Sequence, residues 1–252
     1  MKTLRLFTTT ILLLVFGAFA NAQTADEILA NYFENTGGIE NWKSIEGMKM
    51  TGDAGFGPQS FPFVQIMMTD GRMRTEVDLQ GQKFIPQAYD GEKMWGMNFQ
   101  TMAAEEVDSE TATNYKNNEA NDFPDPFLNY KEKGYQVEYM GEETVEGVET
   151  YKLKLTKNKL ISDGVEEDNF AVYYFDKENF VPILSENTMP VGPQKGMKVQ
   201  TVYSDYQEAG DIFYPYSITT KFNGQAGQSI KIESIEINPS VEEVNFSMPT
   251  KE

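Results

Sequence analysis

The sequence predicts an α+β fold, mostly antiparallel β, in which one curved sheet is covered on a single face by a few short helices. Three observations point there: period-two alternation through most of the chain, turn dipeptides ending in glycine between the alternating runs, and one clear helical pattern near the start.

The first segment is set apart from the rest. Lys2 and Arg5 precede an apolar run from Ile11 to Phe19 that closes on Ala20-Asn21-Ala22, the small-x-small pattern cut by signal peptidases. The run is shorter than the roughly 20 apolar residues that span a bilayer, so residues 1–22 are expected to be a cleaved signal peptide. Residues 23–252 then form a single domain, exported to the periplasm or secreted. No cysteine follows the signal, so no lipid anchor is expected.

The mature chain opens on Thr24-Ala25-Asp26-Glu27, a capping box, and Ala25, Ile28, Leu29, Tyr32 and Phe33 fall on one helical face behind it. Gly37-Gly38 supplies the stop, after which Trp42 and Ile45 lead into the first strand. From Gly47 onward the period becomes two. Arg72, Arg74, Glu76 and Asp78 alternate with Met73, Thr75, Val77 and Leu79, and Tyr151 to Leu155 alternates in the same way. Turns are expected at Asp70-Gly71, Asp90-Gly91, Glu146-Gly147, Asp163-Gly164, Ala209-Gly210 and Asn223-Gly224. Met102 to Lys133 breaks the rhythm. There Ala103 to Glu106 and Thr111 to Ala120 look helical and Phe123 to Leu128 does not alternate, which predicts an insertion of one or two short helices with a loop. Together with the first helix it covers the apolar face of the sheet.

Composition excludes much chemistry. With no histidine and no cysteine there is no imidazole base, no thiolate nucleophile and no usual zinc site; no cofactor and no metal are expected. The net charge of −18, which signal cleavage makes two units more negative, disfavours nucleic acid and anionic lipid headgroups as partners. Paired carboxylates remain as candidates for acid–base work: Asp122 with Asp125, and Asp163 with Glu166, Glu167 and Asp168. Turn chemistry alone explains an Asp-x-Pro loop and an Asp-Gly hairpin, so no catalytic residue is assigned.

Tyr32 with Thr36-Gly37-Gly38 and Trp42, Tyr89-Asp90-Gly91 with Met94-Trp95, Tyr174-Phe175-Asp176, Tyr206 before Tyr214-Pro215, and the final run Ile235, Asn238-Pro239, Val241, Phe246 and Met248-Pro249 share an order and spacing. In these the chain resembles the LolA/LolB-like superfamily, within it the outer-membrane lipoprotein-sorting proteins of Bacteroidota type. The resemblance implies a strongly curved half-barrel sheet with helices over its concave apolar face, and a cavity that holds acyl chains. It implies lipid or acylated lipoproteins as partners in cell-envelope transport. The arginine with which the lipoprotein carriers hold their lid has no matching position; Arg72 and Arg74 are read as facing solvent.

Strand parity proposes an inner, ligand-contacting set of Met73, Val77, Leu153, Leu155, Val172, Tyr174 and Val199, with Trp95 and Met97 from the strand after Asp90-Gly91. Thirteen methionines suit a pocket that adapts to variable chains. Met102, Phe123, Phe127, Leu128 and Tyr130 of the insertion are the candidate lid. The resulting expectation is a non-catalytic carrier of a hydrophobic ligand. The alternatives are a protein-interaction or envelope-stress sensor module on the same fold, and, third, a carboxylate-dependent hydrolase.

Overall fold

The structure, a computed structural model, describes residues 23–250 except Pro193. The expected signal peptide therefore lies outside the described residues. Helix α1 (Ala25–Asn35) carries the capping box in full: the Thr24 hydroxyl accepts from the Glu27 N–H at 3.2 Å, and the Glu27 carboxylate accepts from the Thr24 N–H at 2.9 Å. Its inward residues Ile28, Leu29, Tyr32 and Phe33 are buried. A one-turn helix α2 (Ile39–Lys43) places Trp42, and its indole N–H donates to the Thr36 hydroxyl at 3.0 Å.

Five strands follow in a meander, β1 (Gly47–Phe56), β2 (Gln59–Met68), β3 (Met73–Leu79), β4 (Gln82–Tyr89) and β5 (Met94–Met97). Strand β6 (Ala104–Glu106) then pairs with β5 along the sheet edge. This corrects the helical reading of Ala103 to Glu106. The alanines and glutamates favour a helix intrinsically, but the backbone of Met97 and its neighbours offers a ladder, and pairing outweighs a weak propensity.

The insertion is α3 (Ser109–Asn114), a π-helical stretch (Tyr115–Glu119) and a last turn α4 (Ala120–Asp122), followed by a loop that returns through Phe123–Tyr135. The second run comprises β7 (Gln136–Val145), β8 (Val148–Thr156), a separate small hairpin β9 (Leu160–Ser162) and β10 (Val165–Glu167), then β11 (Phe170–Asp176), β12 (Pro182–Thr188), β13 (Lys198–Ala209), β14 (Ile212–Phe222) and β15 (Gln225–Ile237).

Strand β15 returns to pair with β1, which joins the two runs into one antiparallel sheet of 13 strands, ordered β6-β5-β4-β3-β2-β1-β15-β14-β13-β12-β11-β8-β7. The sheet curls around α1 and the insertion without closing, because β6 and β7 do not meet. Register shifts at Thr51/Gly52, Thr75/Val77, Tyr139/Glu142, Tyr174/Phe175 and Thr219/Lys221 bend the strands as bulges do. At the first of them Gly52 is required by space: a side chain would collide with the backbone of Lys231. The hairpins Glu146-Gly147, Asp163-Gly164 and Asn223-Gly224 have positive φ at both residues, as type I′ turns demand.

One continuous core lies on the concave face, where Ile28, Tyr32 and Phe33 of α1 meet Met48, Phe63, Val77, Leu153, Leu155, Phe175 and Ile232 of the sheet and Phe127 and Leu128 of the insertion. A second covering lies on the convex face of β3 to β5. There the C-terminal segment is fixed by Trp95, whose indole N–H donates to the Phe246 carbonyl at 2.8 Å, and by Arg74, which donates to the Asn245 carbonyl at 2.6 Å. The Arg72 guanidinium lies 5.1 Å from the centre of the Phe246 ring. Both arginines are thus engaged with the tail rather than directed freely into solvent, because a segment distant in sequence covers the face that alternation left open.

Candidate functional site

The chain leaves α4 at Asp122 and enters Phe123-Pro124-Asp125-Pro126-Phe127, in which the Phe123–Pro124 peptide is cis. Two prolines remove backbone donors and fix φ, so the loop cannot continue the helix and instead crosses the concave face. Asp125 holds its shape. One carboxylate oxygen accepts from the Phe127 N–H at 2.8 Å, and the Asp125 carbonyl accepts from the Lys133 ammonium at 2.9 Å. The other carboxylate oxygen accepts from the Tyr32 hydroxyl at 2.9 Å, tying the loop to α1.

Between this loop and strands β11 to β14 lies a chamber of about 250 Å³. Tyr32, Tyr173, Tyr203, Tyr206 and Tyr214 form most of its wall, with Asp122, Asp125, Phe127, Ile218 and four prolines completing it. Besides Tyr32, two more phenols are anchored: Tyr206 donates to the Pro182 carbonyl at 2.7 Å, and the Tyr203 hydroxyl lies 3.1 Å from that of Ser185. A larger hollow of about 670 Å³ shares Tyr203 and Tyr206 as walls and continues past Val181, Ile183 and Phe213 to the end of α1 at Asn35 and Thr36. That volume is within the roughly 300–1,000 Å³ of small-molecule sites, and the chamber is just below it.

The two carboxylates in the chamber differ in kind. Asp122 receives the Lys157 ammonium at 2.6 Å and the Tyr135 hydroxyl at 3.1 Å. Asp125 is only 9% exposed and has no lysine or arginine within ion-pair distance among the described residues. Burial pushes its carboxyl up to about 6, against the opposing hydrogen bonds from Phe127 and Tyr32. Burial likewise lowers the Lys133 ammonium, while the negative charges of Asp125 and Asp122 counteract it. Asp122 is neutralised by Lys157, which leaves the Asp125 carboxylate, with Lys133 beyond ion-pair distance, as the group that favours a positive or hydrogen-bond-donating guest.

The residues proposed from sequence divide into three groups. Val77, Leu153 and Leu155 lie in the concave core, and Met73 packs there against Tyr89, Met94 and Tyr115 beneath the π-helical stretch. Val199 is buried on β13, two residues from Thr201, whose partner Ser185 pairs in turn with Tyr173. Trp95 and Met97 occupy the opposite face with Ile85, Ala88 and Met248 under the C-terminal segment. Val172 and Tyr174 also face the convex side. Register pairs them with Lys154 and Lys152, whereas Tyr173 and Phe175 pair with Leu153 and Tyr151 and point inward. A shift of one residue reverses a strand's faces, and Ala171 to Phe175 is apolar in both phases, so alternation alone does not choose.

Of the proposed lid, Phe123, Phe127 and Leu128 are buried core residues, and Tyr130 donates to Asp26 of α1 at 2.6 Å. Met102 lies elsewhere, in the turn between β5 and β6, where its N–H donates to the Asn98 carbonyl at 2.8 Å. Asp163 and Glu166 belong to the β9–β10 hairpin, where Glu110 accepts from the Asp163 and Gly164 N–H groups and Lys159 pairs with Glu166. They are remote from Asp122 and Asp125 in role. Among the described residues no group of three acidic side chains is placed to hold a metal ion.

Sequence comparison matches no protein-family model and no curated protein. Solved structures do match in fold. A LolA superfamily protein from Nitrosomonas europaea superposes with a TM-score of 0.54 at 12% identity, covering 90% of this chain and 98% of that one. A putative outer membrane lipoprotein-sorting protein domain from Vibrio parahaemolyticus gives 0.51 at 11%, covering 87% and 94%. A DUF1329 family protein from Desulfovibrio piger gives 0.53 at 13%, covering 87% and 97%. The chain therefore has the fold of LolA superfamily proteins over most of its length.

Proposed function

We infer that this protein is a non-catalytic carrier or holder of an acylated or otherwise lipid-like ligand, acting in the periplasm after export. The observation that carries this reading is the pair of adjoining hollows, of about 250 and 670 Å³, that share Tyr203 and Tyr206, the smaller between loop and sheet and the larger opening to the surface at the end of α1. Val181, Ile183 and Phe213 offer the larger hollow an apolar surface, while the tyrosines present both a ring face and a hydroxyl. Each methylene withdrawn from water contributes roughly 0.8 kcal/mol, so about ten methylenes sheltered there supply the roughly 8 kcal/mol of micromolar binding. Lipoprotein sorting is the specific form supported by the likeness in fold to a lipoprotein-sorting domain.

A non-catalytic role is supported by the side chains available. Without imidazole or thiolate, and with Asp122 already engaged by Lys157 and Tyr135, the chamber lacks a nucleophile paired with a free base. No helix among the described residues is long and apolar enough to cross a membrane. Titration with the neutral fluorophore N-phenyl-1-naphthylamine tests the reading. Saturable micromolar binding is expected, and Ile218→Trp, which places an indole in the chamber, weakens it. Absence of saturable binding in a folded wild-type protein contradicts the proposal.

A further inference from the structure

We propose that the tyrosine chamber is a subsite for an ammonium group, so that the ligand is an amphipathic amine whose cationic head sits against Asp125 and whose tail extends along the larger hollow. This deepens the carrier reading and rests on it for the tail. It rests on the chamber's own chemistry for the head.

Three features converge on a positively charged organic group. Five tyrosines surround a space of about 250 Å³, and the electron-rich faces of aromatic rings attract cations most strongly where water is excluded. Asp125 stands in that wall, buried, with a tyrosine hydroxyl and a backbone N–H as partners but no basic side chain on its carboxylate among the described residues. Nearby cations are committed elsewhere: Lys157 to Asp122, and Lys133 to the Asp125 carbonyl. Lys133 acts on the Asp125 carboxylate from beyond ion-pair distance, so a guest cation would supply the direct partner that this carboxylate lacks among the described residues.

The same geometry disfavours other guests. A calcium ion takes six to eight oxygens, and no cluster of three acidic side chains is present among the described residues. An anionic head would meet the Asp125 carboxylate, while the Lys157 ammonium is already taken by Asp122. Ammonium and methylated ammonium heads, whose charge is spread over hydrogens or methyl groups, share the chemistry that suits aromatic walls. They reach it either as a soluble amine or as the head of a lipid.

Calorimetric titration in about 0.5 M salt, which screens the protein's general negative charge, separates these cases. The probes are dodecyltrimethylammonium, its neutral analogue dodecyldimethylphosphine oxide and anionic dodecyl sulfate, all below micelle formation, and choline as the soluble amine. The ammonium amphiphile should bind about tenfold more tightly than either chain-matched analogue, and Asp125→Asn should remove that preference while Asp163→Asn, an equal change of charge on the outer hairpin, leaves it intact. Tyr214→Leu, which removes a ring and keeps the carboxylate, provides a second variant should Asp125→Asn not fold, and it too should reduce the preference.

Equal binding of all three amphiphiles, unaffected by either variant, overturns the ammonium subsite and leaves the carrier reading standing. Binding of choline as tight as that of the amphiphile keeps the subsite and removes the carrier reading. No binding by any probe overturns both.

Discussion

The two wings of the sheet use their concave faces differently. Under the β2 to β5 wing, Met73, Tyr89, Met94 and Tyr115 close on one another, a hollow of about 390 Å³ remains outside them between Tyr89, Met94 and α3, and the C-terminal segment covers the convex side. Under the β11 to β14 wing, the covering element is a proline-rich loop rather than a helix; Tyr32 and Tyr173 touch it, and a chamber remains between it and Tyr203, Tyr206 and Tyr214. A helix presents side chains at close spacing and fills the groove it lies in. A loop stiffened by Pro124 and Pro126 spans the space without filling it. The difference leaves a tyrosine-lined chamber under the loop, whereas the hollow beside the helical insertion is rimmed by Lys93, Glu106 and Lys116.

Substitutions sharpen the contrast, beginning with the β2 to β5 wing. Trp95→Ala removes a fully buried indole and its hydrogen bond to Phe246, and chemical denaturation should show a loss of about 3–5 kcal/mol with ligand affinity of the folded fraction unchanged. If affinity falls in proportion to stability, the wings are not independent.

The chamber wing should show the opposite balance. Asp125 has its carboxyl raised from the ordinary value near 3.8 to about 6, so the native state holds its proton more tightly than the unfolded chain. Its contribution favours folding below pH 4 and is lost as pH rises through about 6. Asp125→Asn should therefore gain up to about 3 kcal/mol relative to wild type between pH 4 and pH 7, measured as the difference between two pH–stability curves. Parallel curves would show that the chamber carries no electrostatic strain.

Arg74→Ala releases the tail from one charged donor and should cost about 1.5–3 kcal/mol in thermal or denaturant unfolding. The smallest effect belongs to the exterior. Lys131→Ala breaks an exposed ion pair with Asp26 and should leave the unfolding transition almost unmoved, the more so in salt.

Much of the architecture was legible in the chain. Thr24 and Glu27 announced the first helix, and Glu146-Gly147, Asp163-Gly164 and Asn223-Gly224 announced hairpins, because capping and type I′ geometry depend on local chemistry. The faces of β5 and β11 were not legible. Met94-Trp95-Gly96-Met97 and Ala171-Val172-Tyr173-Tyr174-Phe175 are apolar in both phases, and the decision is made by partners far away in sequence. Asp125 was read as turn chemistry, which is half of its role, since its second oxygen reaches Tyr32, 93 residues earlier. The tyrosines of β11, β13 and β14 were the available signal, being residues that pack while keeping a polar end.

The central claim is that the hollow beneath the proline loop shelters a lipid-like guest. Native mass spectrometry of the protein isolated from its own cells tests it most directly. The account predicts a bound lipid-sized mass on wild type that solvent extraction releases and that Ile218→Trp, with its circular dichroism unchanged, fails to retain. Bare protein in both samples, or equal retention by both, would contradict it.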